Sequence, residues 1–319
     1  MPAPLPVPNF DPGAAYPEVD RMRAALTASD WPAVRDIFDR LDGPGRTILV
    51  QLAGEVKGIE PFLRSVLAAE PAEPLAATLL ASYLIITGWE IRSGARARHV
   101  SREQFAAFHD HLRRAERILI DVTARHPGYV PAWTLRIADA RGLELGQSEA
   151  RRRYDQLVRH EPHHLPAQAS LLQQFCPKWS GTWEKAFAFA RECTLAAPAG
   201  APNGVLIADV YLERWLDSDS DTDLAERTAN RRDEATLREI WDAAQRSVLH
   251  PQFRHTPGWV SVRNTFAAMF CLLDQYAAAV AQFEALGPLA SERPWAYFGD
   301  AAETYHEFRS RAYAKGGAR

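Results

Sequence analysis

Cysteine is scarce in this 319-residue sequence: Cys176, Cys193 and Cys271 stand alone at wide spacings. An odd, scattered set makes neither a disulfide framework nor a paired-thiolate metal site, so each reads as core filler in a reducing compartment. An excess of one charge is lacking too. Lys and Arg number 37 against 40 Asp and Glu, for a net charge of −3. No broad cationic face is left to neutralise phosphates, so neither nucleic acid nor an anionic membrane is an expected partner. No run reaches 18 uninterrupted apolar residues, and the greasiest stretch, Leu75 to Trp89, is broken by Thr, Ser and Gly and reads as a buried helix. Residues 1–17 carry Pro at 2, 4, 6, 8, 12 and 17 but neither a basic start nor an apolar core. They read as a stiff, polyproline-like lead-in and not a secretory leader, which makes a cytoplasmic location the expectation. A phosphate loop, a dinucleotide glycine fingerprint and a Gly-x-Ser-x-Gly elbow are also missing, so no cofactor is expected.

Strand signals are sparse, whereas helical ones run the length of the chain. Between Ser101 and Arg125 the apolar residues Phe105, Phe108, Leu112, Ala115, Leu119 and Val122 recur at alternating steps of 3 and 4, one stripe of an amphipathic helix. Ser101 and Gln104 supply a capping-box start. Proline stands just inside predicted helix starts at Pro32, Pro131, Pro166 and Pro257, where its missing N–H costs nothing. It also closes helices, at Pro71, Pro127, Pro162, Pro198, Pro251 and Pro288. The closing prolines are periodic: Pro127 to Pro162 spans 35 residues, Pro162 to Pro198 spans 36, and Pro251 to Pro288 spans 37. A helix, turn, helix unit of that size cannot bury its apolar stripe alone, so neighbours must stack. The expectation is an all-α fold, an α-solenoid of antiparallel helical hairpins.

Two units carry a more specific pattern. In one, Trp133, Leu135 and Ala138 occupy a first helix, Gly142 to Gly146 the turn, and Ala150, Tyr154 and Leu157 a second helix. In the last, Ala267, Phe270 and Leu273 are followed by Tyr276, Ala279, Phe283 and Gly287-Pro288. Both resemble tetratricopeptide repeats, with small residues where paired helices cross, an aromatic late in the second helix and Pro at the close. The resemblance implies a lead-in over 1–17, a helical region over 18–70, repeats over 71–290 with insertions near 93–100 and 217–231, and a capping helix and tail over 291–319. A boundary is expected between Leu216 and Arg232, where acidic residues alternate with small polar ones. The stretch Pro177 to Arg191 is similar to a segment of an uncharacterised bacterial helical family, a likeness that implies no activity.

His160-Glu161-Pro162-His163-His164 has the spacing of a zinc-hydrolase signature, and Glu184, 20 residues past His164, could stand as third ligand. Pro162 argues against it, since both imidazoles must share one helical face and a proline between them breaks that helix. Asp217, Asp219, Asp221 and Asp223 imitate the start of a calcium loop, but Thr222 replaces the Gly of the sharp turn and Thr228 the bidentate Glu. His109 and His111, two apart on a helix, face different ways. What remains is an aromatic and basic cluster: Lys178, Trp179, Trp183, Lys185 and Arg191, then Tyr211 and Trp215 one element later. Large rigid rings beside cations are what binding hot spots are made of. The expected function is therefore a noncatalytic scaffold, without catalytic residues, that takes a protein or peptide partner through a solenoid groove. Arg136, Asp139 and Arg141 are its expected polar contacts, with Lys178 and Trp179 at the adjoining turn. The alternative is a helical zinc-dependent hydrolase centred on His160, Glu161, His164 and Glu184.

Overall fold

A computed structural model describes residues 5–93, 100–217 and 233–316. They form sixteen α-helices, and the one β-type pairing among them is an isolated parallel bridge between Asn9 and Leu289. The all-α expectation holds. The chain divides into two compact units, one of residues 17–175 with 179–181, the other of residues 1–16, 176–178 and 182–319. The changeover, at residues 175–182, falls inside the span 71–290 read from sequence as repeats, and not between Leu216 and Arg232 where a boundary was expected. The inserted residues 94–99, with Arg96, Arg98 and His99, and 218–232, with Asp219, Asp221, Thr222, Asp223 and Thr228, lie outside the described residues.

The first unit runs α1 (Pro17–Thr27), α2 (Trp31–Asp39), α3 (Gly43–Ala53), α4 (Glu60–Ala69), α5 (Pro74–Arg92), α6 (Arg102–Arg125), α7 (Val130–Gly142), α8 (Gln147–Leu157) and α9 (Leu165–Phe175). Short acceptor side chains start several of these helices, each satisfying an amide that the first turn leaves unpaired. Asp30 accepts from the Ala33 amide, Asp42 from that of Gly45, and Ser101 with Gln104 forms the full capping box. By length and composition α5 could cross a membrane, but most of it is buried, with α6 packed along it. The close approach of the two depends on Gly88, where a Cβ would stand 3.2 Å from that of His111. Helix α3 touches α1, α5, α7 and α9, so packing here reaches beyond the nearest-neighbour contacts of a simple stack of hairpins.

The second unit holds α10 (Trp183–Ala196), α11 (Val205–Asp217), α12 (Glu234–Arg246), α13 (Trp259–Leu272), α14 (Tyr276–Leu286), α15 (Glu292–Trp295) and α16 (Ala301–Gly316). Phe266, Phe270, Phe283, Trp295 and Tyr305 are all fully buried in it. The Trp295 indole donates to Asn264 Oδ1 at 2.8 Å, so the largest core side chain keeps its polar atom satisfied. Cys271 is buried, which pushes its thiol up to about 12 and leaves it inert. The helix expected to start at Pro257 starts instead at Trp259. Gly258 precedes it at φ 95°, a left-handed turn that Pro could not continue into a helix.

The proline-rich lead-in belongs to this second unit. Asn9 N donates to the Pro288 carbonyl at 2.6 Å and Asn9 O accepts from Ala290 N at 2.9 Å. Phe10 stands edge-on to Tyr305 at 5.8 Å, and the Tyr16 hydroxyl accepts from the Gly258 amide at 2.9 Å.

Candidate functional site

The best-matching hairpin, α7 and α8, turns its polar residues inward. Arg136 donates to Glu116 Oε1 at 2.9 Å and to Thr123 Oγ1 at 3.0 Å, while its guanidinium lies 5.1 Å over the Trp133 ring. Arg153, only 2% exposed, donates to both Glu116 oxygens, to Glu149 Oε1 at 2.8 Å and to the Arg136 carbonyl at 2.7 Å. Asp139 is fully buried beside this network and neither of its oxygens has a hydrogen-bond partner. Burial, and then the neighbouring Glu116 carboxylate, raise its pKa far above the ordinary range against the pull of Arg153 and Arg136, so Asp139 is a neutral acid at pH 7. The Arg152 hydrogen bonds, by contrast, hold Glu149 down at about 2. Arg136 and Asp139, expected as contacts on an open face, are instead parts of a buried charge cluster. Arg141 is half-buried, donates to the Ser170 carbonyl at 3.1 Å and lies 5.6 Å over the Trp179 ring.

The His160 to His164 motif occupies the turn between α8 and α9 and not a helix. His164 is buried, and its Nδ1 meets Glu161 Oε2 at 2.7 Å. Glu161 packs onto Gly43 so closely that a Cβ there would lie 1.9 Å from Oε1. His160 and Glu184 are both exposed. Among the described residues no three His, Cys, Asp or Glu side chains are grouped to hold a metal. The geometry required of the zinc reading, two imidazoles on one helical face, is not formed.

The long turn between α9 and α10 sends consecutive residues to different places. Trp179 packs in the first unit, edge-on to Trp89 at 6.1 Å, and its carbonyl accepts from Gln174 Nε2 at 3.2 Å. Gly181 follows because a Cβ there would stand 2.0 Å from the Phe175 carbonyl oxygen. Thr182 caps α10 by accepting from the Lys185 amide. Lys178 turns into the second unit, where Nζ meets Glu213 Oε2 at 2.5 Å. Glu213 is buried and also receives the Tyr297 hydroxyl at 3.5 Å. One helical turn earlier stands half-buried Asp209. Burial, reinforced by the Glu213 charge and opposed by Arg293, pushes its carboxyl up to about 7. Lys178, expected as a contact at the turn, therefore has a partner in the interior.

A third arrangement lies between α10 and α11, an open groove of about 410 Å³. From α10 it is walled by Trp183, Glu184, Phe187, Ala188 and Arg191, and from α11 by Tyr211 and Arg214. Phe187 and Tyr211 meet edge-to-face at 4.7 Å. Two guanidinium groups lie over the Phe187 ring, Arg191 at 5.3 Å and Arg214 at 5.9 Å. They differ in their commitments. Arg191 forms a paired contact with Glu239 of α12 at 2.6 and 2.9 Å, and Glu239 also accepts from the Tyr211 hydroxyl at 2.8 Å. Arg214 is exposed and has no carboxylate within 4.0 Å among the described residues.

Three members of the aromatic and basic cluster read from sequence, Trp183, Arg191 and Tyr211, thus line one groove, while Lys178 and Trp179 are occupied elsewhere. Sequence reasoning missed Glu213, Glu239, Asp209 and Arg214. The one available signal was Asp209-x-x-x-Glu213, two acids at helical spacing inside the run Val205 to Leu216, whose only other charged residue is Arg214. No protein-family model, no curated protein and no solved structure matches the chain.

Proposed function

We propose that this protein is a noncatalytic scaffold whose helical hairpins, stacked in the manner of tetratricopeptide repeats, seat a peptide or a partner's helix in the groove between α10 and α11. The observation that carries the reading is the groove itself. Trp183, Phe187 and Tyr211 form its aromatic floor, and the last two are held by their edge-to-face contact and by the Tyr211 to Glu239 hydrogen bond, so little of their side-chain entropy is lost when a partner covers them. Arg214 adds an exposed cation already positioned over Phe187, the residue type and the placement of a binding anchor. A volume of about 410 Å³ takes the one or two side chains by which such segments anchor, with a carboxylate of the partner meeting Arg214. Of the contacts expected from sequence, Lys178 and Trp179 hold the turn that leads into α10.

The test is photo-crosslinking in lysate of cells expressing the full chain, with a benzophenone side chain at exposed Ala188. A discrete protein adduct at Ala188, weakened by Arg214→Glu and missing from a control benzophenone at exposed Ile120, is expected. No adduct at Ala188, or one indifferent to Arg214→Glu and Trp183→Ala, overturns the reading.

A further inference from the structure

The proline-rich lead-in is held to the second unit in a different manner from the helices. Of residues 5–16 only Gly13 is buried, so the segment lies on the core and is not part of it. Two kinds of contact hold it. The first is main chain to main chain: Asn9 N donates to the Pro288 carbonyl at 2.6 Å and Ala290 N donates to Asn9 O at 2.9 Å, one rung of a parallel ladder. The second seats aromatic side chains. Phe10 stands edge-on at 5.8 Å to Tyr305, whose ring is fully buried. The Tyr16 hydroxyl accepts from the amides of Gly258 at 2.9 Å and Val260 at 3.3 Å, while Ala15, Tyr16 and Leu289 pack against the buried cluster of Trp259, Val260 and Leu286. Backbone hydrogen bonds that carry no sequence information, with side-chain seats beside them, are the way a folded protein receives an extended peptide.

The shape that fits this seat is made within the segment itself. Asn9 Oδ1 accepts from the Asp11 amide at 2.9 Å, Asp11 Oδ1 accepts from the Gly13 amide at 3.0 Å, and the single 3-10 turn Pro12–Ala14 follows. Prolines at 6, 8 and 12 fix φ before any contact forms. A segment with a preset shape loses little entropy on docking, and one with few buried atoms opens at far lower free energy than the helices beneath it. We propose that Pro288–Ala290, Tyr305 and the start of α13 form a docking site for an extended segment, which the chain fills with its own residues 9–16 and which the same segment of a second copy takes in trans. The seat selects its occupant by chemistry: an Asn that closes its own turn while lending both main-chain groups, an aromatic ring directly after it, and a phenol seven residues on. Exchange between copies breaks and makes the same contacts, so the tether decides the balance. An attached segment acts at an effective concentration on the order of millimolar, and a copy in trans wins where the protein is concentrated or the attached segment is released. The inference does not depend on the groove between α10 and α11 binding anything.

The probe is a synthetic peptide of residues 5–16 with a fluorophore at its N-terminus, titrated into the full chain and read by anisotropy. The full-chain variant Asn9→Pro, Phe10→Ala, Tyr16→Ala removes the attached anchors: the donor to Pro288, the ring on Tyr305 and the phenol at Gly258. Saturable binding to this variant is expected, and binding about tenfold weaker or more to the wild type, where the attached segment competes. In the peptide, Phe10→Ala should weaken binding to the variant about tenfold, and methylation of the Asn9 nitrogen, which removes the donor, about fivefold. The proposal is overturned if millimolar peptide does not bind the variant, or if wild type and variant bind it equally. It is equally overturned if neither peptide change has an effect, or if a peptide of the same composition in scrambled order binds as tightly. Should the triple variant fail to fold, Phe10→Ala alone is the second variant: it must bind the peptide more tightly than the wild type does, and equal affinity sinks the idea.

Discussion

Each unit buries acids, and the two do it with different cations. Around Glu116 the first unit supplies two arginines, and these reach both Glu116 oxygens, Glu149, a threonine hydroxyl and a backbone carbonyl. Around Glu213 the second unit supplies one lysine, whose side chain is 41% exposed, and one tyrosine. The first cluster is closed, cross-linking α6, α7 and α8 with fixed forks. The second is open at one side, where Lys178 meets solvent. Planar guanidinium groups divide themselves among several acceptors, while a lysine is a point charge that serves one at a time. A closed cluster of the first kind fixes packing.

The sharpest way to break this contrast is to remove the hub of the closed cluster. Arg153→Met leaves Glu116 and Glu149 short of a partner in a buried site and should cost about 3–5 kcal/mol of stability in denaturant unfolding. A loss below about 1 kcal/mol would mean that the cluster does not hold the hairpin. Lys178→Met attacks the open cluster and should cost less, about 1–2 kcal/mol, because solvent already screens the lysine and can reach Glu213 once it is gone. Equal losses for the two variants would erase the distinction.

The pH dependence separates the clusters further. Asp139 has a raised pKa when folded, so its contribution is fully present below the unfolded value near 3.9 and is lost as pH rises toward the alkaline range. Asp139→Asn, which mimics the neutral acid, should match the wild type near pH 4 and exceed its stability increasingly from pH 5 to 8; parallel curves would show that Asp139 ionises freely. The smallest effect belongs to Arg214→Glu. Nothing in the fold needs that guanidinium, so its stability should stay within about 0.5 kcal/mol of wild type while partner binding falls.

Much of the fold could be read in advance because its signals are local. The stripe from Phe105 to Val122 lies in α6, Ser101 and Gln104 cap it as expected, and the closing prolines stand two residues beyond helix ends at Pro71, Pro127, Pro198 and Pro288 and five beyond at Pro162 and Pro251. The hairpin of α7 and α8 has its turn where Gly142 to Gly146 placed it. The candidate site was harder to read because polar residues on a first helix look the same whether they face a groove or a buried acid. Arg136 and Asp139 were assigned to an open face by repeat analogy, and the partner that draws them inward, Glu116, sits 20 residues earlier on another helix. Lys178 shows the same blindness, since its partner Glu213 is 35 residues away. Trp183, Arg191 and Tyr211 came together as a group because aromatic and basic composition marks a surface even when its geometry is unknown.

The docking of Asn9 beside Leu289 and of Tyr16 against Gly258 has a consequence for the order in which the chain can fold. The Tyr16 contact closes over 242 residues, one of the longest separations a chain of this length can offer, and such closures come late because their entropy must be lost before any contact rewards it. On a ribosome, residues 17–175 emerge complete and can assemble while the lead-in still waits for α13 and α14 to be synthesised. The prolines at 6, 8 and 12 hold that waiting segment extended and keep it from joining a helix too early. Residues 9–16 precede in the chain the partners they pack against and are thus among the last to find their place.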